Sequence, residues 1–212
     1  MNKNIKIAII GGGGRTGKFL VSQLIEQGYH LKLLLRNPQH LEFQNNLIEI
    51  VQGDALDPIA VDRLVKGCTA VISTVGQRPG EPLVARKASS NVLAAMERYK
   101  VSRYILLAGL NIDTPFDKKG PETIKATEWM KSNYPSIQED RQQTYELIAS
   151  SKVDWILVRV PFIVFKDAES ELIVSLADSK GSTISAGLIA RFLINQLTDD
   201  KYLKKSPFIA EA

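Results

Sequence analysis

The residues best suited to chemistry stand near the start of this 212-residue chain, in the run Gly11-Gly12-Gly13-Gly14-Arg15-Thr16-Gly17 that follows the apolar pair Ile9-Ile10. A glycine turn that closes a strand and opens a helix leaves unpaired N–H groups at the helix start, and these suit phosphate oxygens. Gly11 permits the tight turn, Gly14 admits a pyrophosphate where a Cβ would stand, and Gly17 lets the helix pack on the strand. A register of Gly12, Gly14 and Gly17 fits the spacing as well. Both predict dinucleotide binding.

The residue ending the second strand selects the cofactor, because an acid there binds the 2′-hydroxyl of NAD whereas an arginine holds the 2′-phosphate of NADP. Here it is Arg36. Its planar fork matches phosphate, Arg15 offers a second cation, and NADP(H) is expected ahead of NAD(H). A solvated strand-end arginine is the plainer alternative. Gly53-Asp54-Ala55 follows the third strand, where Asp54 can accept from the adenine amino group and the N–H of Ala55 can face the ring; Asp54 can equally hold the local turn. After the fourth strand, Val75-Gly76 leaves room for the nicotinamide ribose.

These turns need strands and helices to carry them. Apolar runs at Ile5–Ile10, Leu31–Leu35, Leu47–Val51, Ala70–Thr74, Tyr104–Leu107 and Trp155–Val158 lack alternation and read as strands buried on both faces. Between them, Gly17, Leu20, Val21, Leu24 and Ile25 share one helical face ended by Gly28, and Ala88, Val92, Ala95, Met96 and Tyr99 share another. Pro58 opens a short helix ending near Gly67, and Ile184–Leu197 gives a late helix capped by Ser185. Strands alternating with helices predict a single-domain, Rossmann-type, doubly wound parallel α/β sheet over residues 1–212. The stretch Asn111–Ser136 reads as irregular, a small lid, and residues 160–185 as a second excursion on the substrate side.

Composition narrows the partners. A net charge of +4 from dispersed Lys and Arg lacks the basic stripe of a nucleic-acid binder. Trp155–Phe165 is too short for a membrane span and is broken by Arg159 and Pro161. One cysteine, Cys68, allows no internal disulfide, and with no secretory pattern at the start the expected compartment is the cytosol. His30 and His40 have no partner spacing for a metal or a triad, so no metal is expected. Trp129 and Tyr134 read as packing residues of the lid.

Together the glycine turn, Leu-Leu-Arg-Asn-Pro, Gly-Asp-Ala-Leu-Asp and Val-Gly-Gln-Arg resemble the atypical short-chain dehydrogenase/reductases, specifically the NmrA-like NAD(P)H-binding branch and the biliverdin-IXβ reductase/flavin reductase group. That resemblance implies cofactor contacts at Gly11, Gly13, Gly14, Arg15, Thr16, Arg36, Asp54, Ala55, Val75, Gly76 and Arg78. It also sets Phe162 and Ile163 beside the nicotinamide, and Arg141 where the flavin reductase group carries a histidine.

The wider superfamily uses a serine after the fifth strand and a Tyr-x-x-x-Lys helix for proton transfer; this chain has Gly109 at the first position and Ala149 four residues after Tyr145. Reduction of ordinary ketones is therefore not expected. The reading that remains is hydride transfer from NADPH to a conjugated acceptor such as a flavin, quinone or tetrapyrrole, with Arg141 and Tyr145 as candidate residues near it. The competing reading is an NmrA-like sensor that binds NADP(H) without turnover and signals to a protein partner.

Overall fold

Eight strands lie side by side in the order β3-β2-β1-β4-β5-β6-β10-β8 in the computed structural model, which describes residues 5–40 and 45–212. They are β1 (Lys6–Ile10), β2 (His30–Leu35), β3 (Ile48–Gln52), β4 (Ala70–Ser73), β5 (Arg103–Gly109), β6 (Asp154–Val160), β8 (Leu172–Ser175) and β10 (Phe208–Glu211). Every pairing from β3 through β10 is parallel, and β8 alone joins antiparallel. The pair β7 (Phe162–Val164) and β9 (Thr183–Ser185) forms a separate parallel ribbon.

Helices cover both faces, which is why the strands read as unbroken apolar runs. Along β1, Ala8 and Ile10 join a core with α2 (Pro58–Val65), α3 (Ala85–Tyr99) and α5 (Pro135–Ala149). Ile7 and Ile9 point the other way, into a core with α1 (Arg15–Glu26) and α6 (Ala186–Asn195). Fully burying one such side chain contributes about 1.5–3 kcal/mol. Local signals fix the ends: Gly28 turns at φ +79°, the Asp57 side chain accepts from the N–H of Ile59 to cap α2, and Ser185 accepts from Leu188 to cap α6. Ile184, expected inside that last helix, belongs to β9 instead.

The stretch expected to be irregular contains a helix, α4 (Pro121–Asn133). Pro121 occupies its first turn, but only Thr123 and Thr127 are buried, so no apolar stripe announced it. The loop before α4 is held from beneath by Arg159 of β6, which is wholly buried. Its guanidinium donates to both carboxylate oxygens of Asp117 at 2.7 and 2.8 Å and to the carbonyls of Ile112 and Ser206. It also lies 3.5 Å over the Phe208 ring. A buried ion pair this fully hydrogen-bonded fixes geometry more than it adds stability.

Candidate functional site

At β1 the chain changes direction across the sheet, with β2 on one side and β4 on the other. A parallel sheet opens a crevice at that switch point, outside the carboxyl ends of its strands. A cleft of about 900 Å³ lies there.

The glycine turn forms its floor. Gly11 has φ +85°, and a Cβ on it would stand 2.8 Å from the Thr74 carbonyl carbon. A Cβ on Gly17 would overlap the Gly11 carbonyl oxygen, so the close approach of α1 to β1 requires glycine at 17. Gly14 is the N-cap of α1, no side chain caps that helix, and its first turn holds no acid. First-turn N–H groups and the positive end of the helix are thus available to an anion. Twelve-residue α1, a glycine cradle and a cleft of this size fit a dinucleotide pyrophosphate.

Beyond the turn, Arg36 meets a carboxylate of the chain itself. Its two terminal nitrogens donate to Glu81 at 2.8 and 3.0 Å, and Asp54 lies 3.8 Å away. The bond from Arg36 holds the Glu81 carboxyl below its ordinary pKa, and the same bond raises that of Arg36. Arg78 reaches Glu81 at 3.7 Å, and the Gln77 amide braces the loop by donating to the carbonyls of Arg78, Glu81 and Pro82. Asp54 spends one oxygen on the N–H of Leu56, the local-turn role, while still lining the cleft. Across the turn, the Arg15 guanidinium lies 4.2 Å over the ring of Phe165.

At the other end, the loop after β5 and the first turns of α5 close the cleft. Asn111 donates to Gln138, which returns a bond to the Asn111 carbonyl at 3.0 Å, and Gln142 clasps the backbone of Asp113 at 3.0 and 2.9 Å. A side chain at Gly109 would collide with the Asn111 carboxamide, which fills the space above that glycine. Arg141 lines this end. Tyr145 does not: it is buried in the core, edge-on to Trp155 at 6.1 Å, and burial raises its pKa. The expectation that Tyr145 approaches an acceptor is corrected, because its turn of α5 faces the sheet.

The structure brings Gly11, Gly13, Gly14, Arg15, Thr16, Arg36, Asp54, Ala55, Val75, Gly76, Arg78 and Ile163 to one cleft. Gly17 stands behind it, supporting the turn, and Phe162 lies outside the lining, on β7 with 76% of its surface exposed. Glu81, Asn111 and Phe165 line the cleft without having been singled out. Asn111 was within reach, since it follows the strand that lacks a serine; nothing local pairs Glu81 with a residue 45 positions away. Among the described residues no group of three His, Cys, Asp or Glu side chains could hold a metal. No described helix is long and apolar enough to cross a membrane.

Known proteins agree with this architecture. Protein YwnB of Bacillus subtilis, uncharacterized, is 20% identical over 151 residues, 71% of this chain and 69% of its own. The photosystem II assembly factor Ycf39 of Trieres chinensis and the cinnamoyl-CoA reductase 1 of Petunia hybrida match over only 24% and 39% of their own length. The anaerobilin reductase ChuY of Escherichia coli O157:H7 superposes with a TM-score of 0.81 at 14% identity, covering 97% of each chain. A short-chain dehydrogenase/reductase of Veillonella parvula, solved in complex with NADP, superposes at 0.76 and 16% identity over 98% of this chain and 94% of its own. A family model described as NAD(P)H-binding matches residues 11–200, and the chain belongs to that NAD(P)H-binding family.

Proposed function

We propose that the protein is an NADPH-dependent reductase that passes hydride to a conjugated acceptor such as a flavin, a quinone or a linear tetrapyrrole. The observation that carries this reading is the pairing of a dinucleotide cradle with an acceptor end built without a proton donor of the usual kind. The Asn111 carboxamide fills the space above Gly109, and Tyr145 is packed into the core. NADPH, when bound, supplies two electrons and one hydrogen nucleus as hydride, and a second proton from solvent completes the reduced acceptor. An acceptor that delocalises the incoming charge needs no protein acid, whereas a simple ketone does. The reductase name of ChuY supports the same class.

Selection of NADPH rests on Arg36, whose fork suits a 2′-phosphate once Glu81 has swung aside. A cytosolic place for the chain rests on its lone cysteine, buried at Cys68. The sensor reading draws on the same missing acid, and turnover separates the two. Purified protein is expected to oxidise NADPH with flavin, quinone or tetrapyrrole and to leave aliphatic ketones untouched, followed by NADPH absorbance. Tyr145→Phe is expected to change that rate less than twofold, far below the roughly 10²- to 10⁴-fold loss when a general acid is removed. Tight NADPH binding with no acceptor consumed would replace the reductase with the sensor.

A further inference from the structure

Arg141 is the cleft arginine whose side chain the chain provides with neither a salt bridge nor an aromatic ring. Arg36 and Arg78 share Glu81, and Arg15 lies on Phe165. Among the described residues, the Arg141 side chain has neither an ion pair nor a hydrogen bond. Its sequence neighbour Asp140 is committed elsewhere, accepting from the backbone N–H groups of Ala85 and Arg86 at 2.8 and 3.2 Å. Surrounding protein weakens the hold on the proton: burial lowers the Arg141 pKa, with Asp140 opposing. The guanidinium stays charged at neutral pH nonetheless.

Its position is also fixed. Gln138, three residues before, is bonded both ways to Asn111; Gln142, the next residue, clasps Asp113; and Asp140 ties the same turn of α5 to the start of α3. The charge therefore sits beyond β5, in the half of the sheet that takes the nicotinamide mononucleotide in this fold. The pyrophosphate cradle at α1 has its own cation, Arg15. A partly desolvated cation with no partner costs stability, and an anion brought by a ligand removes that cost while forming a two-pronged, charge-assisted bond.

We propose that Arg141 is the oxyanion subsite for the acceptor, which accordingly carries a carboxylate beside its conjugated system; the assignment to an acceptor rests on the reductase reading above. The probes are anthraquinone-2-carboxylate and its neutral carboxamide, titrated into the NADP⁺-loaded protein. Wild type is expected to bind the carboxylate roughly tenfold or more tighter than the carboxamide, the margin of one or two charge-assisted bonds. Arg141→Gln is expected to erase that preference, leaving carboxamide binding near wild type and the melting temperature at or above it, and Arg141→Lys to restore part of it. Equal binding of the two probes by wild type, binding of neither, or a preference that survives in Arg141→Gln would overturn the subsite. A preference for flavin mononucleotide over riboflavin with none for the carboxylate would also overturn it, in favour of a phosphate ligand. If the Arg141-dependent preference holds but neither quinone nor flavin is reduced by NADPH, the reductase reading falls and the anion subsite stands.

Discussion

At the adenosine end of the cleft, recognition is built from backbone placed by short local turns, and the nearby charges already have partners: Arg36 faces Glu81 and Asp54, and Arg15 lies on Phe165. The acceptor end is assembled from side chains far apart in sequence, Asn111, Gln138 and Gln142, around one unpartnered cation. The difference separates a general task from a particular one. Any dinucleotide presents the same pyrophosphate, so a turn of fixed geometry serves; an acceptor is particular, and its wall is made of replaceable side chains on loops.

The largest expected effect falls on the acceptor end. Arg159→Met removes the two-pronged partner of the buried Asp117 carboxylate and is expected to cost about 3–5 kcal/mol in denaturant unfolding. In the surviving folded fraction, loss of ordered structure should concentrate in residues 110–119, read by amide exchange, while NADPH still binds at the glycine turn. A uniform loss across both ends would break the comparison.

A smaller effect tests the adenosine end. Arg36→Ala is expected to weaken NADPH roughly tenfold, the value of one exposed charge-assisted bond, and to leave NADH within about twofold. Glu81→Gln should act in the opposite direction, tightening NADPH several-fold without changing NADH, because the 2′-phosphate no longer competes with a carboxylate for the same fork. Calorimetric titration of both cofactors reads all four numbers. No gain for NADPH in Glu81→Gln would mean that Glu81 does not guard Arg36.

The smallest effect concerns the frame beneath the adenosine end. Burial pushes the Cys68 thiol from 9.0 up to about 11, and its sulfur donates to the Leu64 carbonyl at 3.3 Å. The thiol is neutral in the folded protein and ionises more readily unfolded, so its contribution to stability is complete below the ordinary thiol pKa. That contribution shrinks as pH rises through about 9 toward 11. Iodoacetamide at pH 8 is expected to leave Cys68 unlabelled until the protein unfolds. Labelling in native buffer would show that this half opens locally.

Legibility in the sequence follows the same division. Five of the six apolar runs and the glycine turn could be read because burial on both faces and a positive φ each leave a mark at the residue concerned, as Gly11 shows; the sixth, β3, is an edge strand with Glu49, Ile50 and Gln52 exposed, so the expected burial on both faces does not hold there. Four strands went unseen, β7 through β10: they are three or four residues long and take their pairing from distant chain, as β10 does beside β6 and β8. Helix α4 escaped because its exposed face needs no apolar period. Tyr145 and Arg141 share a helical side by spacing, yet one enters the core and the other the cleft; four residues advance a helix by more than a full turn and so shift a side chain along the axis as well as around it.

The grip of Arg159 on two carbonyls bears on the order in which the molecule is completed. One of them, Ser206, lies just before β10, and the other, Ile112, belongs to the loop nearly a hundred residues earlier. During synthesis the glycine turn can close as soon as the first strands have paired, whereas the Arg159 bracket beneath the loop from Ile112 to Asp117 is complete only when Ser206 and Phe208 have been made and docked. A nascent chain halted before them would present a nucleotide cradle with an unfinished second room. Competence to hold the cofactor and competence to use it would thus arise at different moments in the life of each molecule.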